Sequence, residues 1–294
     1  MTLKLHDKLV ETREEILATE PIETDENSDL EVHILTSRDD HLNALWALKS
    51  FYHFSEIRPR LVVHDDGSFD HGHVNIFKRH FTGSRVIDRT DADQEMAFVL
   101  NDRPYSRDYR KCSNCVHAIK LFDSFHYSET GKILFLDSDV LFFKKPVRML
   151  NLINDSTGFY MEDWGYAYTH HLDVLKNQLD VNIISYINTG ICHFPSKGMF
   201  NKDLVEKYLK LTHDHNYPRA YWTEQTALAL LISQNQENFC HLDFDYQIGT
   251  QRLTDDTISH HYVNDASHPE SRQNFTEVGI KQLRETGFLD AISK

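Results

Sequence analysis

Residues 132–146 read Lys-Ile-Leu-Phe-Leu-Asp-Ser-Asp-Val-Leu-Phe-Phe-Lys-Lys-Pro. Four consecutive apolar residues, 133–136, run without polar alternation into two aspartates, Asp137 and Asp139. This pattern is typical of a strand that is buried on both faces of a parallel sheet. Carboxylates at the end of such a strand lie where open α/β sheets bind ligands. The stretch therefore predicts an α/β fold with a ligand site at Asp137-Ser138-Asp139.

The charge of the two aspartates indicates what that ligand is. Two carboxylates one residue apart repel each other when no cation is present. A divalent metal can be ligated by one or both of them and still carry phosphate oxygens on its remaining positions. We therefore interpret the triplet 137–139 as a metal and diphosphate site. The alternative is that both aspartates only cap a turn, because Asp-x-Asp alone is a short motif.

Two upstream segments are predicted to end at the same edge of the sheet. Residues 30–37 form an apolar strand pattern that closes with hydroxyl side chains, and residues 60–68 form an apolar run that closes with carboxylates and a glycine. Successive βαβ units bring the ends of such strands together, so this edge is the expected nucleotide pocket. For the carboxylates, a turn before Gly67 is the alternative. The polar residues at the two ends are Thr36, Ser37, Asp65 and Asp66.

Basic residues that could meet phosphate lie between these strands and the central one. Residues 91–111 are polar, rich in Asp and Arg, and contain Pro104, which predicts a mobile loop over the site. A surface loop with mixed charges is the alternative. A helix predicted over residues 115–125 carries one more candidate. The phosphate candidates are Arg103, Arg107, Arg110, Lys111 and Lys120.

Length and composition are those of an ordinary globular protein. A chain of 294 residues, with 40% apolar and 12% aromatic residues, is long enough for one large α/β domain. Residues 1–29 predict a surface helix and an acidic linker, and residues 30–294 predict a single domain. The formal charge of −14 argues against nucleic-acid binding and against an anionic membrane surface.

The remaining composition signals concern the compartment. No early segment has the pattern of a signal peptide, and no apolar run approaches the length of a membrane span. Four cysteines are too few and too unevenly placed for a disulfide scaffold. Cys112 and Cys115 form a Cys-x-x-Cys pair, but no second pair follows at zinc spacing. We expect a reduced, cytoplasmic protein without a transmembrane segment.

Residues 134–140, Leu-Phe-Leu-Asp-Ser-Asp-Val, followed by Leu-Phe-Phe and Pro146, resemble the Asp-x-Asp segment of GT-A glycosyltransferases, especially those of the glycogenin and galactosyltransferase type. The resemblance implies a GT-A fold, which is a Rossmann-like α/β domain with a mixed, mostly parallel central sheet flanked by helices. It also implies that Asp137 and Asp139, with Ser138 between them, hold Mn²⁺ or Mg²⁺ on the diphosphate of a nucleotide sugar.

Further segments resemble the donor-binding motifs of the family, in the family's order. The turn at 63–68 is similar to the base- and ribose-binding turn, and residues 36–37 are similar to the first-strand contact with the base. Residues 188–190, Asn-Thr-Gly, which we expect within a strand pair, resemble the segment that lines the donor sugar pocket. A plain turn is the alternative there. The donor-binding residues implied by the resemblance are Thr36, Ser37, Asp65, Asp66, Asn188 and Gly190.

Glu224-Gln225 opens a predicted helix that Thr223 caps. The pair resembles the family's Asp-Gln, with Glu in place of Asp, and Ala229 or Leu230 stands where Asn is common. This departure leaves the role of the pair open. We group Gln225 with the expected donor-binding residues.

Residues 257–264 resemble the late His-Tyr segment that supplies the third metal ligand of the family. Two histidines compete for that role, His260 and His261, and we assign it to His261. The Lys-Pro-Trp that usually follows is absent here.

Two carboxylates are candidates for chemistry at the sugar. Asp163 ends a predicted strand, and Glu224 lies in the first turn of its helix, both after the donor motifs in chain order. A carboxylate in this position either takes the proton of the acceptor or orients the acceptor or the donor hydroxyls. We expect Glu224 to fill this role. The alternative is that Glu224 only complements the helix dipole.

Together these patterns predict a metal-dependent glycosyltransferase that moves a sugar from a nucleoside diphosphate sugar, with UDP expected, to an acceptor that the sequence does not identify. A nucleotide-sugar-binding protein without turnover is an alternative. A haloacid-dehalogenase-type phosphatase is disfavoured because Val140-Leu141 follows the second Asp and the motif lies mid-chain. A nucleotidylyltransferase is disfavoured because residues 36–40 contain no glycine.

Overall fold

The computed structural model describes residues 12–216, 222–263 and 270–293. Its strands are β1 (Ile22–Glu23), β2 (Leu30–Thr36), β3 (Arg60–Asp65), β4 (Phe81–Thr82), β5 (Arg85–Ile87), β6 (Lys132–Leu136), β7 (Val140–Phe142), β8 (Gly158–Glu162), β9 (Ile187–Phe194), β10 (Phe239–His241), β11 (Tyr246–Ile248) and β12 (Ser259–His261). Its helices are α1 (His41–Ser55), α2 (His71–His80), α3 (Arg89–Val99), α4 (Pro104–Lys111), α5 (Ala118–Tyr127), α6 (Val147–Asn154), α7 (Leu172–Leu179), α8 (Lys202–Asp214), α9 (Trp222–Gln234), α10 (Glu270–Asn274), α11 (Lys281–Glu285) and α12 (Phe288–Ile292).

The central sheet runs in the order β10-β8-β9-β6-β2-β3-β5. Strands β6, β2, β3 and β5 are parallel neighbours, whereas β9 lies antiparallel between β6 and β8. A smaller sheet, β11-β12-β7, stands beside it, with β12 antiparallel to β7. This arrangement confirms the predicted α/β class with a mixed, mostly parallel sheet.

Strand β6 is buried on both faces, as its apolar run predicts. Leu134 and Leu136 belong to an apolar cluster that includes Trp46 of α1, on one side of the sheet. Ile133 and Phe135 belong to a second cluster on the other side, which includes residues of α5. With helices packed against both faces, the strand has no solvated side, and its polar groups lie only beyond its carboxyl end.

The predicted mobile loop over residues 91–111 is wrong, because this segment folds into α3 and α4. The side chain of Asp88 caps α3 by accepting from two backbone N–H groups, and Pro104 occupies the first turn of α4. Both are recognised helix-start signals. Arg110 is 3% exposed and donates from Nε and Nη2 to the two carboxylate oxygens of Asp123, at 2.6 and 2.7 Å. Its guanidinium is therefore held in a buried ion pair and is not available as a phosphate contact.

Two other predicted elements differ from what is observed. Residues 188–190 lie inside one continuous strand, β9, and not within a strand pair. The N-terminal helix expected over residues 3–19 is helical over 12–17, and its first part lies outside the described residues. Within the predicted acidic linker, β1 pairs with β4.

The C-terminal segment closes over the smaller sheet. A π-helical stretch, Phe275–Ile280, joins α10 to α11. A Cβ on Gly279 would lie 2.6 Å from Leu141 of β7 and 2.7 Å from Tyr262, the residue after β12. This close approach holds the C-terminal helices against the strands that border Asp139. No helix of the described residues is both long and apolar enough to span a membrane.

Candidate metal centre and its surroundings

Three side chains that could hold a metal meet beyond the carboxyl end of β6. Asp137 and Asp139 lie in the turn from β6 to β7, with Ser138 half-buried between them. His261 ends β12 and pairs across the smaller sheet with Val140, so the antiparallel register brings it to the same turn. One ligand atom from each of the three side chains lies within 4.8 Å of the others.

His261 is oriented for metal binding by its second nitrogen. Nδ1 lies 3.0 Å from Asn188 Oδ1, an acceptor, so Nδ1 carries the proton and donates to Asn188. Nε2 then faces the carboxylates, 3.1 Å from Asp139 and 3.8 Å from Asp137. An unprotonated Nε2 would direct its lone pair at two carboxylates, which is repulsive. This geometry therefore requires a cation or a proton between Nε2 and the carboxylates. The donor set fits a divalent metal.

The charges within this group reinforce one another. Burial by itself would lower the pKa of His261, but the nearby charge of Asp139 and then that of Asp137 raise it above its usual value. Burial by itself would raise the pKa of Asp139, but His261 holds it below the usual range. Without a metal, a proton on His261 takes the cation's place, so metal binding must displace that proton and weakens at low pH.

His260 faces away from this centre. Its Nε2 donates to the backbone carbonyl of Gln251 at 2.9 Å, and its ring stacks on Tyr262 with centroids 4.1 Å apart. Burial lowers its pKa to about 4, so the ring is neutral at ordinary pH. Of the two histidines that compete in the sequence, only His261 is oriented towards the aspartates.

Gly190 makes room for the histidine. A Cβ at this position would lie 2.2 Å from His261 Nδ1 and 2.4 Å from its Cε1, closer than real Cβ contacts occur. The backbone of Gly190 is also engaged, because its carbonyl accepts from Asp137 N at 2.9 Å and its N–H donates to Asn188 Oδ1 at 2.9 Å. The glycine thus supports the metal centre, and its expected place in the donor sugar pocket stays a prediction.

Lys120 contacts Asp137 from the protein interior. The lysine is 4% exposed, and its Nζ donates to Asp137 Oδ1 at 2.7 Å and to the carbonyl of Thr189 at 2.9 Å. Burial alone would lower its pKa, but Asp137 and Glu224 together raise it above the usual value. Lys120 therefore carries a fixed positive charge next to one candidate metal ligand, and its contact with phosphate stays a prediction.

Glu224 is buried next to Lys120. The side chain is 4% exposed, with Oε1 3.6 Å from Lys120 Nζ and 3.4 Å from the hydroxyl of Thr189. Burial raises the pKa of Glu224 to about 7, against the opposing effect of Lys120. A carboxyl with a pKa near neutrality exchanges a proton readily at ordinary pH.

Thr189 belongs to the site although the sequence analysis did not single it out. Its carbonyl and hydroxyl contact Lys120 and Glu224, whereas its neighbours Asn188 and Gly190 contact His261 on the other face. Side chains alternate faces along a strand. If residues 188–190 had been predicted as part of a strand, Thr189 would have been placed on the face opposite to Asn188 and Gly190.

Asp163 joins the metal centre through the donor-motif residues. Its Oδ2 accepts from Asn188 Nδ2 at 3.2 Å and from Gln225 Nε2 at 3.1 Å. Burial raises the pKa of Asp163, although both amides oppose the shift. Asn188 thus links Asp163 to His261, and Gln225 lies on the same carboxylate. The structure brings these predicted residues together.

The predicted nucleotide edge is formed by the ends of β2 and β3, where Thr36 pairs with Asp65. Asp65 Oδ1 accepts from three backbone N–H groups, those of residues 67–69, at 2.8 to 3.1 Å, as a turn-capping aspartate does. Asp66 accepts from the backbone and hydroxyl of Ser68. Ser37 bonds to Asp40.

Among the described residues, the hydroxyl of Thr36 is buried without a hydrogen-bond partner. A buried polar group without a partner is costly, which a ligand at this edge would relieve.

Solved structures of glycosyltransferases are similar to this chain. The apo form of mouse xyloside xylosyltransferase 1 matches at 12% identity with a TM-score of 0.55, over 85% of this chain and 100% of that one. The galactosyltransferase LgtC, in complex with donor and acceptor sugar analogues, matches at 14% identity with a TM-score of 0.53, over 87% of this chain and 99% of that one. The sequence matches no protein-family model and no curated protein. The likeness confirms the GT-A fold.

We expect His261→Ala to weaken Mn²⁺ binding by roughly tenfold or more, because it removes one of three candidate ligands. His260→Ala is the matched control and should change the affinity little, since its ring faces Gln251. Titration of each variant with Mn²⁺, followed by electron paramagnetic resonance of the free ion, measures both affinities. The reverse result would move the ligand by one residue, and two small effects would exclude both histidines.

We also expect Gly190→Ala to lower the Mn²⁺ affinity by roughly tenfold or more, because the new methyl group displaces the ring of His261. Gly165→Ala is the control, since a Cβ there meets nothing within 4 Å. The same titration applies, with thermal melting to verify that both variants fold. An unchanged affinity in Gly190→Ala would show that the histidine is not required at this position.

Proposed function

We propose that this protein is a metal-dependent glycosyltransferase that moves a sugar from a nucleoside diphosphate sugar, with UDP as the nucleotide, to an acceptor hydroxyl. The observation that carries the proposal is the cluster of Asp137, Asp139 and His261, with ligand atoms within 4.8 Å of one another at the carboxyl end of a buried strand. The GT-A fold of the chain supports it.

The donor set favours Mn²⁺ over Mg²⁺ as the resident ion. Two carboxylates and one imidazole make a mixed oxygen and nitrogen set, whereas Mg²⁺ prefers oxygen ligands in a strict octahedron. When bound, the ion neutralises negative charge on the diphosphate as it leaves. Asp137, Asp139 and the Nε2 of His261 would hold it.

In the proposed reaction, the bond between C1 of the donor sugar and the diphosphate oxygen breaks. A new bond forms between C1 and the acceptor oxygen, whose proton passes to solvent, and the nucleoside diphosphate departs. Negative charge grows on the departing diphosphate, so fixed positive groups beside it lower the barrier. Lys120 supports this role because Asp137 and Glu224 hold it in a charged state, against the opposing effect of burial, next to Asp137.

The nucleotide is proposed to lie along the ends of β2 and β3. The unpartnered hydroxyl of Thr36 supports a polar contact at this edge. Ser37, Asp65 and Asp66 flank it, although the carboxylates already accept hydrogen bonds from their own turn. We therefore propose that Thr36 contacts the nucleotide directly and that Asp65 mainly shapes the turn that receives it.

Glu224 and Asp163 are proposed to act at the two partners of the transfer. Glu224 lies on the inner side of the centre with Lys120, so we propose that it contacts the transferred sugar. Its pKa of about 7 leaves part of the carboxyl ionised at neutral pH, and the ionised form is the one that we propose accepts hydrogen bonds from the sugar hydroxyls. Asp163 is half-buried on the other side of Asn188, and we propose that it contacts the acceptor.

We expect UDP to raise the melting temperature only when a divalent metal is present, because Asp137 and Asp139 repel a free diphosphate. At a hundredfold excess of ligand over its Kd, stabilisation is about 2.7 kcal/mol. A thermal-shift panel of nucleoside diphosphates, with Mn²⁺ and with a chelator, measures the effect. Equal stabilisation by UDP in the chelator would contradict the metal bridge, and no stabilisation by any nucleotide would contradict the proposed class.

We expect Glu224→Gln to lose at least about a hundredfold in the release of UDP from UDP-sugar while UDP affinity is retained. Glutamine keeps the shape of the carboxyl but cannot ionise. Asp163→Asn is the matched variant, and both are assayed for UDP release and for Mn²⁺-dependent UDP binding. Near-normal turnover in Glu224→Gln would rule out the proposed role of Glu224. A selective loss of turnover in Asp163→Asn would assign that role to Asp163.

A further inference from the structure

A cavity of about 310 Å³ opens beside the metal centre, on the side of Asp163. Its volume is at the small end of the range for ligand pockets, about 300–1,000 Å³. The wall combines carboxylates, an amide and aromatic rings. The side chains that define its character are Glu162, Asp163, Trp164, Asp243, Phe244 and Gln251.

The two aromatic rings are unusually accessible. Trp164 is 43% exposed and Phe244 is 76% exposed, although both belong to residue types that normally cover a core. Contiguous exposed apolar groups that are rimmed by polar residues mark ligand-binding or interaction sites. The faces of aromatic rings carry partial negative charge and attract the C–H groups of a ligand that stacks on them.

The tryptophan ring packs on a glycine whose backbone is hydrogen-bonded to that of His261. A Cβ on Gly249 would lie 3.2 Å from the ring of Trp164, so the indole lies directly against this glycine. The N–H of Gly249 donates to the carbonyl of His261 at 2.9 Å. Asp163, which is itself part of the cavity wall, is linked through Asn188 to the ring of His261. The cavity is thus connected to the centre by two independent paths.

The charge of the cavity wall selects among ligands. Glu162 is exposed at the end of β8, and its side-chain carboxylate has no hydrogen-bond or ion-pair partner among the described residues. Asp243 is paired with Arg148 at 3.0 Å, so the charge of this guanidinium is balanced by a carboxylate of the wall. The other polar side chains of the wall are the carboxylates of Glu162 and Asp163, the amide of Gln251 and the hydroxyl of Tyr246. Such a wall suits a ligand with several hydroxyl donors and opposes one with a negative charge.

We propose that this cavity binds the acceptor and that the acceptor is a saccharide without negative charge, stacked on Trp164 and Phe244 with its hydroxyls on Glu162 and Asp163. The proposal rests on the proposed function, since it names the second substrate of the same transfer. A sugar ring has both features that the wall selects, a C–H face for the rings and hydroxyl donors for the carboxylates. A hydroxyl on Asp163 would lie on the side of the centre away from Lys120.

The test is saturation-transfer NMR with methyl glycosides of glucose, galactose, xylose and N-acetylglucosamine, and with methyl glucuronide as the anionic probe. At millimolar concentration we expect at least one neutral glycoside to bind and the glucuronide to fail. Trp164→Ala should weaken binding by roughly tenfold, and Trp164→Phe should recover part of it, because stacking needs a ring. Phe98→Ala is the control, since Phe98 is 85% exposed on α3 and lines no part of this cavity. Glu162→Lys should admit the glucuronide.

Binding of Mn²⁺ and UDP to the same samples separates this proposal from the one on which it rests. Nucleotide binding without any glycoside binding would overturn the acceptor assignment and leave the proposed function in place. Glycoside binding that depends on Trp164 without nucleotide binding would support a saccharide site and overturn the transferase. Glycoside binding that is unchanged in Trp164→Ala, or transfer to a polypeptide hydroxyl alone, would overturn the cavity as the acceptor site.

Discussion

Mutual repulsion between Asp137 and Asp139 is the constraint on which this part of the molecule depends. Two carboxylates at one turn repel each other unless positive charge lies close to them. Lys120 supplies it on one side, 2.7 Å from Asp137. On the other side, His261 Nε2 lies 3.1 Å from Asp139 and would supply it through a bound proton or through the metal that it would hold. The lysine is buried in α5 and the histidine ends β12, so distant parts of the fold are required to hold one turn.

Strand β9 connects those two sides. Asn188 and Gly190 face the histidine, and Thr189 faces the lysine and Glu224. Because a strand presents successive side chains to opposite faces, three consecutive residues are enough to set both environments. Strand β9, which is antiparallel to its neighbours, therefore places supporting residues on both sides of the turn that carries Asp137 and Asp139.

The sequence was most informative where the signal was local. The buried strand before Asp137 followed from four apolar residues, and the edge formed by β2 and β3 followed from two similar runs. Helices α3 and α4 were missed because their charged composition obscured the cap at Asp88 and the proline at 104. The support that Gly190 gives to His261 could not be predicted, since it depends on two distant segments packing in one register.

The order of the ligands along the chain has a consequence for synthesis. His261 follows Asp139 by about 120 residues, and the strand that carries it is held in place by the close approach of Gly279 to Leu141 and Tyr262. Domains fold from the N-terminus as they leave the ribosome. A nascent chain with the whole central sheet already emerged still lacks the third ligand and its support. The metal centre is therefore completed only after β12 and the segment around Gly279 have emerged, and cleavage between them would remove that support without touching a ligand.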